Sequence, residues 1–162
     1  TRAHRVLPFA GLCDMSERRV AVLLAGGKGT RLRPFTAAFP KPLVPVGELP
    51  IIDILVRQLV AAGFLEFVVS VGHLAHLVEA YFVDHPIRRH GASFSFVRES
   101  SPLGTAGPLA KMSGLPEHFL VLNGDILTDL DFDQMFQKHL ESGACLTVAT
   151  TLRSVQIQLG VI

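Results

Sequence analysis

Short uncharged segments alternate with segments of helical periodicity along this chain, and that alternation is what most constrains its fold. Strand-like runs occupy residues 20–25, 67–71, 93–97, 119–122 and 146–151, and another begins at residue 156. Helical spacing of apolar residues occurs at 51–62, 74–83, 105–112 and 132–141. Strands without charges that alternate with helices are typical of a buried parallel sheet. The sequence therefore predicts an α/β fold, a parallel sheet with helices on both faces.

Composition narrows the class of protein. Hydrophobic residues make up 49% and charged residues 18% of the 162 residues, which predicts one globular domain with a sizeable core. The net charge of +1 offers no basic field for nucleic acid. No apolar run approaches the roughly 18 residues of a membrane span. Cys13 and Cys145 lack the spacing of a metal site or disulfide framework, so we expect a cytoplasmic protein without a membrane or nucleic-acid partner.

The two ends of the sequence carry expectations of their own. Residues 1–14 contain a short apolar patch interrupted by Pro8 and no good cleavage site, so a signal peptide is disfavoured. We expect residues 1–14 to be an upstream or artificial extension before a natural start at Met15. The strand-like segment 156–162 predicts that the domain, residues 15–162, is incomplete at its C-terminal end.

A glycine-rich loop, LAGGKGTRLRPFT, follows the first predicted strand. Its glycines, Gly26, Gly27 and Gly29, let the backbone approach a ligand closely, and successive N–H groups in such a turn bind anions. The spacing differs from that of a Walker A loop, and Leu32 stands where a dinucleotide fingerprint needs its third glycine. The alternative is a tight turn with solvated cations, but the clustering of cations at a strand's carboxyl end favours phosphate binding.

Two further segments carry candidate chemistry. Lys41 stands between Pro40 and Pro42, and a following proline biases a residue toward extended backbone, so we expect a stiffly held cation. Asp125 ends the Asn-Gly-Asp sequence after the strand at 119–122, where a carboxylate suits a magnesium ion. Taken alone, each has an ordinary alternative: a proline-rich surface loop for Lys41 and an Asx turn for Asp125.

The remaining polar clusters predict structural roles. Asp129, Asp131 and Asp133 imitate a calcium loop but lack its glycine and closing glutamate, so we interpret them as helix-capping residues, with Asp131 as the N-cap. His73 and His76 are three residues apart, and we expect them to share a solvated helix face rather than to bind metal.

The motifs together resemble one family. The glycine loop, Pro-Lys-Pro, Pro-Leu-Gly-Thr-Ala-Gly at 102–107 and Asn-Gly-Asp follow in the order seen in sugar-phosphate nucleotidyltransferases, also called nucleotide-sugar pyrophosphorylases. The resemblance covers residues 19–162 and is strongest to mannose-1-phosphate guanylyltransferases. It implies a Rossmann-like, mostly parallel sheet and transfer of a nucleotidyl group from a nucleoside triphosphate to a sugar 1-phosphate, with Mg²⁺ as cofactor. Residues 15–162 would then be the nucleotide-binding portion.

The resemblance also implies roles for individual residues. Arg31 matches the arginine that grips the triphosphate, Lys41 the lysine near the α-phosphate, and Asp125 the metal-binding aspartate. The residues matched to nucleotide binding are Leu24, Ala25, Gly26, Gly27, Gly29, Thr30, Glu99, Gly104 and Thr105. Gly160 matches a glycine of the sugar site, although the preceding residue is Leu159 where an aromatic residue is common.

Glu99 is the informative departure from uracil- and thymine-using relatives, in which we expect glutamine at this position. A carboxylate only accepts hydrogen bonds, and guanine presents two adjacent donors, so Glu99 favours GTP. The alternatives are a Glu99 that faces solvent, a uridylyl-, thymidylyl- or cytidylyltransferase, and a non-catalytic nucleotide-sugar sensor. The intact Arg31, Lys41 and Asp125 argue against the sensor. Homo-oligomerisation is left open.

Overall fold

The computed structural model describes residues 18–27, 29, 35–99 and 103–152. The strands are β1 (Val20–Ala25), β2 (Pro45–Val46), β3 (Leu49–Pro50), β4 (Glu66–Val71), β5 (Ser93–Arg98) and β6 (Leu120–Asn123). The helices are α1 (Phe35–Ala38), α2 (Ile51–Ala61), α3 (Ala75–Val83) and α4 (Phe132–Ser142). Three 3-10 turns span Lys41–Leu43, Pro86–His90 and Gly107–Lys111. Among the described residues, no helix has the length and apolar character needed to cross a membrane.

The main sheet of the described residues has the strand order β5-β4-β1-β6, and all its neighbours are parallel. From β1 the chain runs through α2 to β4 and through α3 to β5, moving steadily toward one edge. It then returns to place β6 on the other side of β1. The predicted parallel sheet with helices is confirmed. The direction in which strands are added reverses between β1 and β6, and ligands bind at such reversals in open parallel sheets.

The core explains why β1 contains no polar residue. Ala21, Leu23 and Ala25 join one continuous apolar cluster with buried side chains of α2, α3 and α4. Val20 and Val22 alternate with them and are also buried, at 1% and 0% exposure. Both faces of β1 are therefore covered, and every position on the strand favours an apolar side chain.

The predicted helix ends are confirmed where turn chemistry sets them. The carboxylate of Asp131 accepts a hydrogen bond of 2.9 Å from the backbone N–H of Gln134, which caps α4. Gly63 follows α2 with a φ of 84°, and Gly143 follows α4 with a φ of 60°. These are left-handed conformations that glycine adopts without steric cost, so a glycine ends each helix within one residue of the predicted bound.

Other predicted elements are wrong or incomplete. Residues 146–151 form no strand, and Leu146 and Val148 are 77% and 67% exposed. Alternation of apolar residues is a local property, whereas a strand also needs a neighbour to pair with. The predicted helix at 105–112 is reduced to the 3-10 turn Gly107–Lys111, and the sequence analysis missed the β2–β3 hairpin. The strand expected from residue 156 lies outside the described residues.

Charged side chains are paired at the amino ends of β1 and β4. The guanidinium of Arg18 donates to both carboxylate oxygens of Glu66 and, at 2.9 Å, to the carbonyl of Gly114. The buried guanidinium of Arg19 donates to the carboxylate of Asp133 at 2.6 Å and to the carbonyl of Ala62 at 2.8 Å. These bonds tie β1 to β4 and to the segments around α2 and α4.

Candidate active site

A cleft of about 600 Å³ opens at the carboxyl ends of β1, β4 and β6. Its lining includes these residues that the sequence analysis selected: Leu24, Ala25, Gly26, Gly27, Lys41, Glu99, Gly104, Thr105 and Asp125. They come from five separate segments of the chain. The topology brings them together because parallel strands end at the same edge of the sheet.

Other selected residues do not line this cleft in the described part of the chain. Thr30, Arg31 and Gly160 lie outside the described residues, and their assignments stay predictions. Gly29 is described but does not line the cleft. Its carbonyl accepts a 2.8 Å hydrogen bond from the Thr36 hydroxyl, and a Cβ on Gly29 would lie 3.1 Å from Cβ of Lys41. Gly29 therefore packs the glycine loop closely against the Lys41 segment.

The cleft's floor depends on glycine at two positions of close approach. A Cβ on Gly26 would overlap the carboxylate of Glu99, and a Cβ on Gly72 would lie 2.6 Å from the carbonyl oxygen of Gly26. The backbone N–H of Gly124 donates to the carbonyl of Leu24 at 2.9 Å, which joins the ends of β1 and β6. A larger residue at position 72 would force these segments apart, and one at position 26 would displace the Glu99 carboxylate.

Lys41 and Asp125 form an ion pair inside the cleft, with side-chain exposures of 40% and 23%. The prediction that Lys41 is extended is wrong, since Lys41 begins a 3-10 turn. Hydrogen bonds from the N–H of Leu43 to the carbonyl of Pro40 and from Val44 to Lys41 close that turn, which outweighs the bias that Pro42 imposes. The turn still holds the cation in a fixed place, opposite the carboxylate at the end of β6.

Glu99 lies at the end of β5 and turns its carboxylate into the cleft rather than into open solvent. Its backbone N–H donates to the carbonyl of Val71 at 2.8 Å. Its Oε1 accepts a hydrogen bond of 2.6 Å from the hydroxyl of Ser70, a fully buried residue of β4. The carboxylate thus has a defined position beside Gly26.

Sequence reasoning missed several lining residues. These are Pro42, Gly72, His73, Leu103, Pro108 and Asn123. His73 does not share a helix face with His76, because α3 begins only at Ala75, after Leu74 adopts a left-handed φ of 55°. The signal that could have identified His73 was its position, since it lies two residues after β4, at the same edge of the sheet as the glycine loop.

Within the described residues, the family resemblance marks Asp125 as the magnesium ligand of this cleft. Asp125 offers a partly exposed carboxylate oxygen, the donor that a hard cation prefers. Among the residues that the structure describes, no group of three or more His, Cys, Asp or Glu side chains is arranged to hold a metal. A single carboxylate still fits Mg²⁺, because Mg²⁺ in nucleotide sites takes its other ligands from substrate phosphates and water.

The fold and this cleft define a class of α/β proteins with a ligand cleft at the carboxyl edge of a parallel sheet, and comparison with known families identifies the class. Residues 20–162 match the family described as "Nucleotidyl transferase". The match covers most of the sequence, and the chain belongs to this family. The family predicted from the motifs is confirmed.

Individual relatives carry two kinds of name. The mannose-1-phosphate guanylyltransferase catalytic subunit beta of Danio rerio is 38% identical over 146 residues, which cover 88% of this chain and 40% of the relative. The UTP–glucose-1-phosphate uridylyltransferase of Synechocystis sp. is 37% identical over 143 residues, covering 80% of this chain and 36% of the relative. The chain thus spans about two fifths of the length of these curated relatives.

Solved structures show the same fold. HddC from Yersinia pseudotuberculosis complexed with GMP-PN superposes with a TM-score of 0.62 at 28% identity, covering 77% of this chain and 55% of HddC. The UDP-glucose pyrophosphorylase of Acinetobacter baumannii gives a TM-score of 0.68 at 26% identity, with coverage of 79% and 54%.

Proposed function

We propose that this chain carries the nucleotide-binding part of an enzyme that transfers a nucleotidyl group from GTP to a sugar 1-phosphate. The products are a nucleotide sugar and pyrophosphate. The observation that supports this most is the pairing of Lys41 with Asp125 in a glycine-floored cleft of a nucleotidyl transferase family member. The cleft combines a cation for phosphate, a carboxylate for a metal ion and a backbone that a ligand can approach.

The proposed reaction makes one bond and breaks one. A phosphate oxygen of the sugar 1-phosphate attacks the α-phosphorus of the triphosphate, and the bond from that phosphorus to the β-bridging oxygen breaks as pyrophosphate leaves. Such transfers depend on in-line positioning and charge stabilisation more than on covalent help. Lys41 would neutralise charge at the α-phosphate, and Arg31, which lies outside the described residues, would grip the triphosphate.

Asp125 would hold the magnesium ion that the family resemblance implies. When bound, Mg²⁺ would neutralise phosphate charge and orient the phosphate oxygens. In the free chain Lys41 and Asp125 neutralise each other. A triphosphate entering the cleft would offer Lys41 a more highly charged anionic partner and would release the Asp125 carboxylate.

The remaining assignments follow the cleft. Leu24, Ala25, Gly26 and Gly27 would cradle the nucleotide, and Gly104 and Thr105 would lie against base and ribose. Gly29 would support this loop through Lys41, while Thr30 and the sugar-site Gly160 remain predictions from the resemblance. The exposed free thiol of Cys145 suits a reducing compartment such as the cytoplasm.

GTP is the proposed donor because the Glu99 carboxylate lies in the cleft and can only accept hydrogen bonds. A similar relative named as a uridylyltransferase supports UTP as the second candidate. A non-catalytic nucleotide-sugar sensor is less favoured, because binding alone would not require Lys41 and Asp125 to be kept together.

Thermal shift with GTP, UTP, dTTP, CTP and ATP, each with and without Mg²⁺, tests the proposal. A ligand that binds only the folded state raises its stability in proportion to affinity. We expect GTP with Mg²⁺ to give the largest rise. Stabilisation by UTP instead would keep the nucleotide site and reject the guanine assignment, and a folded chain that responds to no triphosphate would overturn the function.

A further inference from the structure

We infer that Ser70 is a positioning residue for base selection: its hydroxyl fixes the Glu99 carboxylate so that the cleft prefers a base edge with two adjacent donors. This inference rests on the proposed function and adds a residue that no sequence motif marks. Ser70 does not line the cleft, and it acts only through Glu99.

Ser70 is fully buried. It lies in β4 between Val69 and Val71, and all three residues have 0% exposure. A hydroxyl in such surroundings costs free energy unless it is hydrogen-bonded, and alanine or valine would avoid that cost. The hydroxyl of Ser70 donates to Oε1 of Glu99 at 2.6 Å, a short bond of the kind made to a charged acceptor.

Contacts in three directions restrict Glu99. Its backbone N–H is bonded to the carbonyl of Val71, its Oε1 to Ser70, and its carboxylate lies so close to Gly26 that no Cβ would fit there. The carboxylate therefore has little freedom to rotate. Lone pairs of Oε2, and the one left on Oε1, remain available as acceptors for a ligand.

The hydrogen-bonding groups that Glu99 presents to the cleft decide which base edge it can bind. The Ser70 hydroxyl is the donor because a carboxylate can only accept, and the rest of the Glu99 carboxylate then presents only acceptors to the cleft. Glu99→Gln would replace one carboxylate acceptor with an NH₂ donor, so residue 99 would no longer offer acceptors on both of its terminal atoms. Guanine offers N1–H and the 2-amino group, so it matches the carboxylate better than the amide.

Isothermal titration calorimetry with GTP, ITP and UTP tests the role, since ITP lacks the 2-amino donor of GTP. The variants are Ser70→Ala, Ser70→Thr, which keeps a hydroxyl, and the matched control Ser95→Ala. The hydroxyl of Ser95 donates to the carbonyl of Phe67 on the neighbouring strand and has no bond to Glu99. We expect Ser70→Ala to reduce the GTP-to-ITP affinity ratio by about tenfold, the effect of one hydrogen bond to a charged group.

The outcomes separate this role from a merely structural one and from the proposed function. A structural defect would weaken all three triphosphates equally and leave the GTP-to-ITP ratio unchanged, which would overturn the role of Ser70. Retention of the ratio in Ser70→Thr and Ser95→Ala supports the role. A wild-type chain that binds GTP and ITP equally overturns base selection through Glu99 and Ser70 but keeps the nucleotide site. A chain that binds no triphosphate overturns both proposals.

Circular dichroism melts would show that the variants are folded at the assay temperature. Should Ser70→Ala fail that check, Ser70→Cys has nearly the volume of serine and is only a weak donor. It is expected to show the same fall in the GTP-to-ITP ratio, and an unchanged ratio in that variant would overturn the inference.

Discussion

The two ends of the same parallel strands use charge differently. At the amino ends of β1 and β4, Arg18 is bonded to Glu66 and a backbone carbonyl, and buried Arg19 is bonded to Asp133 and Ala62. At the carboxyl ends of β1 and β6, Lys41 and Asp125 form a partly exposed pair that faces an open cleft.

The difference shows which charges hold the fold and which are available to a ligand. The amino-end charges bond to protein groups that join separate segments of the chain. The carboxyl-end charges lie beside glycines whose backbone is open to close approach. Substitutions at the amino ends should therefore change stability without changing ligand preference, and substitutions in the cleft should do the reverse.

Phe64→Ala should give the largest change in stability. Phe64 is fully buried, packs edge-to-face on Phe136 with ring centroids 5.3 Å apart, and lies under the guanidinium of Arg19. Removing the ring leaves a cavity and takes away a packing contact of the Arg19 guanidinium. We therefore expect a loss of about 3–5 kcal/mol in the free energy of unfolding. Urea denaturation measures it. A loss under about 1 kcal/mol would show that the amino-end core readily repacks.

Lys41→Met should have the largest effect on the proposed chemistry. In the whole protein we expect turnover to fall at least about 10²-fold, because a preorganised charge near the transferred phosphate is lost. The free energy of unfolding should change by only about 0.5 kcal/mol, since the ion pair is partly exposed. Steady-state kinetics and urea denaturation measure the two effects, with the exposed Lys138→Met as control. Turnover like that of the wild type would reject the role of Lys41.

The fold was predictable where local chemistry sufficed. The uncharged segment of β1 and the Asp131 cap act within a few residues, and their predicted structures are confirmed. The prediction failed at residues 146–151, where β-branched residues satisfy the alternation but find no strand to pair with in the described residues. Propensity is local, whereas pairing depends on the whole fold.

The candidate site was predictable through its motifs and not through its supporting contacts. The glycine loop, Lys41 and Asp125 belong to recognisable patterns, and the topology brings them into one cleft. Ser70 meets Glu99 across 29 positions of sequence, and its neighbours in β4, Val69 and Val71, are both apolar. No spacing rule connects two such residues, because their contact depends on the register between β4 and β5.

Asp133→Ala tests the hydrogen bonds of Arg19 at the amino end of β1, and its effect on stability should be intermediate. It removes the carboxylate that pairs with the buried Arg19, while the Ala62 carbonyl and the aromatic rings remain as partners. Because Asp133 is half exposed, we expect a loss of about 1–2 kcal/mol, less than for a fully buried pair. Asp129→Ala, in the same acidic run, is the control. Equal losses in the two variants, measured by urea denaturation, would show that Arg19 does not depend on Asp133.

Glu66→Gln should give the smallest change in the free energy of unfolding, and this change should depend on pH. Hydrogen bonds from Arg18 hold the pKa of Glu66 below its ordinary value of 4.5. The folded-state pKa is thus lower than the unfolded one, so the pair stabilises the fold above the unfolded pKa and loses that contribution as pH falls through the folded pKa. At pH 7 the free energy of unfolding of the wild type should be slightly higher than that of Glu66→Gln. This difference should disappear in acid. A difference that stays constant from pH 7 into acid would contradict this.

Glu79→Gln sharpens the comparison between the two ends. Arg98, the last residue of β5, hydrogen-bonds to Glu79 and lowers its pKa in the same way as Arg18 does for Glu66. Urea denaturation across the same pH range should therefore show that the wild type has a higher free energy of unfolding than Glu79→Gln at pH 7, with the difference disappearing in acid. If the two substitutions have similar effects on stability, the ion pairs at the carboxyl ends of the strands are as strong as those at the amino ends. The difference between the two ends would then lie in the open, glycine-floored cleft, whose charges a ligand can reach.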